Sequence, residues 1–176
     1  PQWNDWDLDP EKNGGPFMDA MIHNLNIARY LMGRKETALT FFSDKHAHPD
    51  LTCSDTDFLK LDFEDAGSAH LFITWAADLE VTSTEGNYRE HHDNKFMVTD
   101  KGYYVTTEKD GIQVSKEGDR KTIPMEKIDG TVFDRFADAV TNDTPNPSDV
   151  PTVEEAVMDI KIIREGMGNV GSKVSL

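Results

Sequence analysis

Apolar residues recur at steps of three and four from Phe17 to Gly33. Met18, Met21, Ile22, Leu25, Ala28 and Met32 mark one side of a helix, and Gly33 supplies its stop. Beyond Gly33 the period shortens. Ala38 to Phe42, Asp57 to Phe63, Ala69 to Trp75, Glu80 to Thr84, Lys95 to Val98, Tyr103 to Thr107 and Ile112 to Ser115 are short and rich in β-branched and aromatic residues, and several alternate. They predict strands. Glu64-Asp65-Ala66-Gly67, Asp100-Lys101-Gly102 and Lys109-Asp110-Gly111 fall where hairpins must reverse, so consecutive antiparallel pairing is expected. The helical period returns after Gly130. Thr131 with Asp134 resembles a capping pair ahead of the stripe Phe133, Phe136, Ala137 and Val140. Thr152-Val153-Glu154-Glu155 forms a capping box for a last helix carried by Val153, Ala156, Val157, Ile160, Ile163 and Met167. Helix, many strands, helix, helix, without βαβ alternation, predicts an α+β fold. Its expected form is one domain over 1–176, with a large, mostly antiparallel open sheet and helices packed on one face. The helices are expected at about 17–33, 131–141 and 152–168, with the β-rich region at about 36–125.

Charge narrows the partners. The 176 residues carry 33 acidic against 18 basic side chains, a formal net charge of −15. Binding to a phosphate backbone or an anionic bilayer needs the opposite balance, so neither nucleic acid nor membrane is an expected partner. No apolar run approaches the ~20 residues of a membrane span, and the first residues do not resemble a signal peptide, so a soluble, cytoplasmic protein is expected. Cys53 is the one cysteine, which excludes an internal disulfide, and it has no obvious basic partner to activate it as a nucleophile.

Candidate chemistry lies on the first helix. At about 100° per residue, Asp19, His23, Asn26 and Tyr30 fall within a stripe roughly 60° wide. The rest of the helix is largely apolar, which marks the stripe as more than an ordinary solvated face. A carboxylate one turn before an imidazole can fix its tautomer and raise its pKa, as suits a general acid/base. Gly14 and Gly15 just ahead allow close backbone approach. His46-x-His48 and His91-His92-Asp93 invite a metal reading, but Pro49 follows the first and spacing fixes no third ligand; surface loops and no metal are expected. Gly166-Met167-Gly168-Asn169-Val170-Gly171 fits G-x-G-x-x-G, but it follows a helix instead of a strand. Helix termination and a flexible tail are expected there, not a dinucleotide site. Trp3 and Trp6 would line a cleft or mark a domain edge.

The segment Gly14-Gly15 … Asp19-x3-His23 … Arg29-Tyr30-Leu31-Met32-Gly33 resembles the helix that opens the second domain of the glucose-fructose oxidoreductase/inositol dehydrogenase/rhizopine-catabolism family of NAD(P)-dependent oxidoreductases. Val98-Thr99-Asp100-Lys101-Gly102-Tyr103-Tyr104-Val105 is similar to that family's Gly-Thr-Lys-Gly hairpin, and Phe133 to Pro145 and the helix from Thr152 to its last two helices. The resemblance implies that Asp19 and His23 are catalytic, with His23 exchanging a proton with a substrate hydroxyl or carbonyl and Asp19 orienting it. Asn13, Asn26 and Tyr30 are the candidate substrate contacts. Asn26 stands where many members have Asp, and Met21 replaces a frequent glycine.

The resemblance also implies a sugar or polyol substrate, NAD or NADP in the full-length enzyme and none bound by this domain alone. It implies a dinucleotide-binding Rossmann domain preceding residue 1, and a homo-dimer or tetramer formed through the open sheet face. The chain alone is then expected to be an inactive fragment. A non-enzymatic binding or assembly module that keeps the fold is the alternative, and a carbohydrate-binding β domain without redox chemistry is a third.

Overall fold

The computed structural model describes residues 9–76, 95–108, 111–124, 130–143 and 151–176. The chain divides into two compact units, Pro1–Asp78 with Ser148–Leu176 and Leu79–Pro147.

In the first unit a short helix α1 (Pro10–Asn13) leads into a π-helical turn, Phe17–Met21, that runs on as α2 (Ile22–Met32). Gly33 ends the helix in the left-handed conformation, φ 57°, with its N–H donated to Arg29 O at 3.0 Å. Strands β1 (Glu36–Asp44), β2 (Thr56–Phe63) and β3 (Ser68–Thr74) pair antiparallel in chain order. The last helix, α4 (Val153–Gly168), leads to β8 (Lys173–Ser175), which pairs antiparallel with the other edge of β1, giving the order β3-β2-β1-β8.

Period-two alternation decides which face is covered. Leu39 and Phe41 of β1, Leu59, Leu61 and Phe63 of β2, and Leu71 of β3 point to one side. There they meet Phe17, Met21 and Leu25 of the first helix and Ile162 and Ile163 of α4 in a single core. The opposite side carries Phe42, Phe58 and Phe72, aligned across three strands by register. Phe42 and Phe72 are about half exposed, at 48% and 54%.

The second unit holds an antiparallel sheet in the order β4-β5-β6-β7, made of Phe96–Val98, Tyr104–Glu108, Gly111–Lys116 and Asp119–Pro124, and α3 (Val132–Thr141). Positive φ at both Glu117 and Gly118 gives the tight β6–β7 reversal its hairpin hand. Phe133, Phe136 and Val140 of α3 are exposed.

The α+β, antiparallel class is as expected, and in the first unit the helices cover one face of the sheet. The described strands form two four-stranded sheets. Both C-terminal helices start at capping boxes built by Thr131 with Asp134 and Thr152 with Glu155. Two strands depart from expectation. β7, Asp-Arg-Lys-Thr-Ile-Pro, is charged and exposed throughout and carries no apolar alternation to announce it. The expected flexible tail after Gly171 is instead β8, anchored through Val174 opposite Leu39. The expected strand Glu80 to Thr84 lies outside the described residues, as do Trp3, Trp6 and His91-His92-Asp93.

Candidate functional site

The start of the first helix is set by its glycines. Gly14 and Gly15 take φ of 77° and 79°, values that a side chain disfavours, and a Cβ at Gly14 would lie 2.6 Å from Met18 Cβ. The pair therefore serves the backbone turn and the packing of Met18. Asn13 is buried and its Oδ1 accepts the Gly15 N–H at 2.6 Å, which closes this turn.

The π turn follows directly, with the Ile22 N–H donated to Phe17 O. An i→i+5 turn rotates each residue by less than an α-helix does, so Asp19 is displaced around the axis from the line through His23, Asn26 and Tyr30. Phe17 and Met21 enter the core, so the bulky residue that replaces a frequent glycine is a core side chain. Asp19 and His23 are exposed. Among the described residues no hydrogen bond or ion pair joins them. The expected stripe is thus an outward-facing one, because Phe17, Met21 and Leu25 take the side of the helix that the sheet covers.

Further along, Asn26 and Tyr30 come together at an open groove of about 660 Å³ that also touches Arg29, Arg34, Glu36 and Glu155. Tyr30 is 64% exposed. Asn26 Nδ2 donates to Asp159 Oδ2 at 2.7 Å, and Arg29 donates to Asp159 Oδ1 at 2.6 Å, to Glu155 O at 3.0 Å and to Glu36. Burial favours the neutral guanidine, but Glu36 and Asp159 outweigh it and raise the Arg29 pKa. Asp159 is 2% exposed. This network ties α2 to α4 and β1. Neither Asp19, His23 nor Asn13 lines the groove.

Besides Asp159, two further acids not singled out by the sequence are buried. Asp55 is fully enclosed and accepts the backbone N–H groups of His46, Ala47 and His48 at 2.8 to 3.0 Å, and the Thr56 hydroxyl. Burial opposes its ionisation, yet these donors hold its carboxyl well below the usual carboxylate range. The 46–48 loop is accordingly an anchored turn. His48 Nε2–H donates to Trp75 O at 2.8 Å, so that nitrogen is engaged by the backbone. No group of three or more metal-ligating side chains exists among the described residues. Asp57, in phase with Leu59 and Leu61, is also buried; that burial pushes its carboxyl up, and the Ser54 and Ser43 hydroxyls pull the other way. Burial likewise raises the Cys53 thiol, which is the opposite of what a nucleophile needs.

The G-x-G-x-x-G run has a packing explanation. A Cβ at Gly166 would lie 2.9 Å from Phe41 Cβ, so a glycine at this position lets α4 lie close against Phe41, and the Gly171 N–H is donated to Phe41 O at 2.8 Å. No helix of the described residues is long and apolar enough to cross a membrane.

Solved structures share this architecture. An oxidoreductase from Thermotoga maritima superposes with a TM-score of 0.76 at 17% identity, over 99% of this chain and 51% of that one. The aldose-aldose oxidoreductase from Caulobacter crescentus, complexed with glycerol, gives 0.67 at 15% identity, over 98% and 51%. The WlbA dehydrogenase from Bordetella pertussis, in complex with NADH and UDP-GlcNAcA, gives 0.59 at 14% identity, over 98% and 48%. The chain spans about half the length of these proteins, and at such identities the likeness shows a common fold. No curated protein sequence matches the chain. Residues 1–104 match the GFO/IDH/MocA C-terminal domain, and the chain belongs to that family.

Proposed function

We propose that this chain is the C-terminal, substrate-side domain of an NAD(P)-dependent oxidoreductase acting on a sugar, a polyol or a related hydroxyl or carbonyl compound. The observation that carries the reading is the exposure of Asp19 and His23 on the helix that opens a fold shared with oxidoreductases. The sugar class is supported by the aldose-aldose enzyme and the UDP-GlcNAcA complex among the structural neighbours.

In this reading His23 accepts the proton of a substrate hydroxyl as its carbon is oxidised, and returns it to the carbonyl oxygen in the reverse direction. Asp19 hydrogen-bonds the imidazole once substrate draws the two together, because catalytic hydrogen bonds commonly tighten only in the complex. Asn26 and Tyr30 contact the remainder of the substrate from the groove beside them, and Asn13 holds the turn that places the helix. The glycine-rich run does not fit a dinucleotide, because it joins a helix to a strand, the reverse of what a phosphate site requires. NAD or NADP is therefore assigned to a Rossmann domain outside this chain, and the chain alone is inactive. The outer sheet face, with Phe42, Phe58 and Phe72, is the proposed contact for a homo-dimer or tetramer. A non-enzymatic assembly module would use the same face.

The distinguishing experiment is turnover by the full-length protein. His23→Ala is expected to lower kcat/KM by about 10² to 10⁴, and wild-type turnover in that variant would refute the acid/base role. Tight, specific NAD(P) binding by the isolated chain would contradict the assignment of the cofactor elsewhere.

A further inference from the structure

The outer face of the first sheet carries charge beside its aromatic rings. Register sets Lys60 directly opposite His70 in the row next to Phe42, Phe58 and Phe72, and Lys173 of β8 ends that row beside Thr40. Asp62, one row further, pairs with Lys60 through Oδ1 at 2.5 Å and with Lys173 through Oδ2 at 2.9 Å. The exposed His70 has its Nε2 3.1 Å from Ser68 Oγ and its ring tilted against Phe58, with centroids 5.9 Å apart. Asp44, across the aromatic row, is the other acid that these strands turn outward. At the β2–β3 turn Glu64 is exposed and Asp65 pairs with Arg34. The strands thus present two acids, two lysines and one histidine on this face.

A chain of net charge −15 repels its own copies over most of its surface. Here the acids and lysines of the strands cancel, so two copies can meet without net charge as long as the imidazole is neutral. Resting on the homo-oligomer assigned above to this face, we propose that His70 gates that assembly: copies associate when its ring is neutral and separate when it is protonated. Histidine is the side chain that changes charge between pH 5 and 8. Once a second copy covers the face, a protonated His70 is enclosed with Lys60 opposite it and Phe58 at its side. Asp62 already serves two lysines, and Asp44 stands beyond the aromatic row. A charge enclosed without a partner is strongly disfavoured. The second copy brings the same set of groups, so each contact holds two such histidines. The contact therefore excludes protons, and falling pH favours separate copies.

The test is the self-association constant of the full-length protein, measured by sedimentation velocity at about pH 8 and about pH 5.5. Wild type is compared with His70→Gln, which keeps a polar side chain that stays neutral at both values. Two imidazoles that must each release a proton weaken a contact by about 10² one pH unit below their midpoint. A rise in Kd of about tenfold or more in acid is therefore expected in wild type and not in His70→Gln. A Kd that does not change with pH overturns the gate and leaves assembly through this face standing. An equal rise in His70→Gln also overturns it, since another group is then titrating. Monomers at pH 8, or an assembly that survives Phe42→Lys with Phe72→Lys, overturn the assignment of the face and the gate with it. Circular dichroism at both pH values separates dissociation from unfolding; a lost fold in acid would likewise overturn the gate.

Discussion

Asp55 and Asp57 stand two residues apart and experience opposite surroundings. Asp55 meets three backbone N–H groups and is held ionised; Asp57 is pushed toward its neutral form by burial, which the Ser54 and Ser43 hydroxyls and the Phe17 N–H only partly offset. The two signs separate in acid titration. A carboxyl with a lowered folded pKa contributes stability that is present above its unfolded pKa and is lost as pH falls through the folded value. Asp55 therefore contributes its full stabilisation above the usual carboxylate range, and that contribution falls away progressively as pH drops below it. A carboxyl with a raised folded pKa acts in reverse: stability is highest below the unfolded pKa and declines as pH rises toward the folded one. Asp57→Asn should remove that decline, and Asp55→Ala should cost about 3 kcal/mol at neutral pH by stranding the donors of the 46–48 turn. Urea unfolding across pH 3 to 7 measures both, and parallel pH profiles for wild type and Asp57→Asn would contradict the first. Neither acid was singled out from the sequence: Asp57 stands in phase with Leu59, Leu61 and Phe63 but its burial needs the helices in place, and the role of Asp55 depends on a loop folding back from nine residues earlier.

Among the elements, the three long helices and their ends were legible, since periodicity, Gly33 and the two capping boxes are local signals. The π turn was not. It follows from Gly14, Gly15 and Pro16 fixing the approach of the chain while Phe17 and Met21 are both drawn into the core, a demand that tertiary packing makes. For the same reason the wheel that aligned Asp19 with His23 and Tyr30 held only from Ile22 onward. Arg29 was legible as part of a motif, but its task was not: it joins α2 to Glu36 at the start of β1 and to Asp159 on α4. Arg29→Ala leaves the buried Asp159 carboxylate without its cation, and a loss of about 3 kcal/mol is expected in denaturant unfolding. A loss under about 0.5 kcal/mol, the size of an exposed pair, would show that the network is incidental.

For the whole molecule, the fold class and the covered face of the first sheet could be read from alternation alone, whereas the separation into two sheets and the pairing of β8 with β1 depend on contacts distant in sequence. Among the described residues of the first unit, the outer sheet face is left half exposed at Phe42 and Phe72. Its row Phe42, Phe58 and Phe72 runs perpendicular to the strands, with Phe42 and Phe58 ring centroids 6.3 Å apart. The double variant Phe42→Lys, Phe72→Lys is expected to convert a dimer or tetramer of the full-length protein to monomers in light scattering, with its circular dichroism unchanged. An assembly that survives both charges would place the contact elsewhere. The first unit is also discontinuous, with residues 79–147 intervening between its two parts. During synthesis the first helix and the β1–β2–β3 meander emerge before residues 79–147, and Ile162, Ile163 and β8 emerge only after them. Until then the part of the core that Ile162 and Ile163 cover lies open and β1 keeps an unpaired edge, so the nascent chain passes through an interval of aggregation risk that the arrival of α4 and β8 ends.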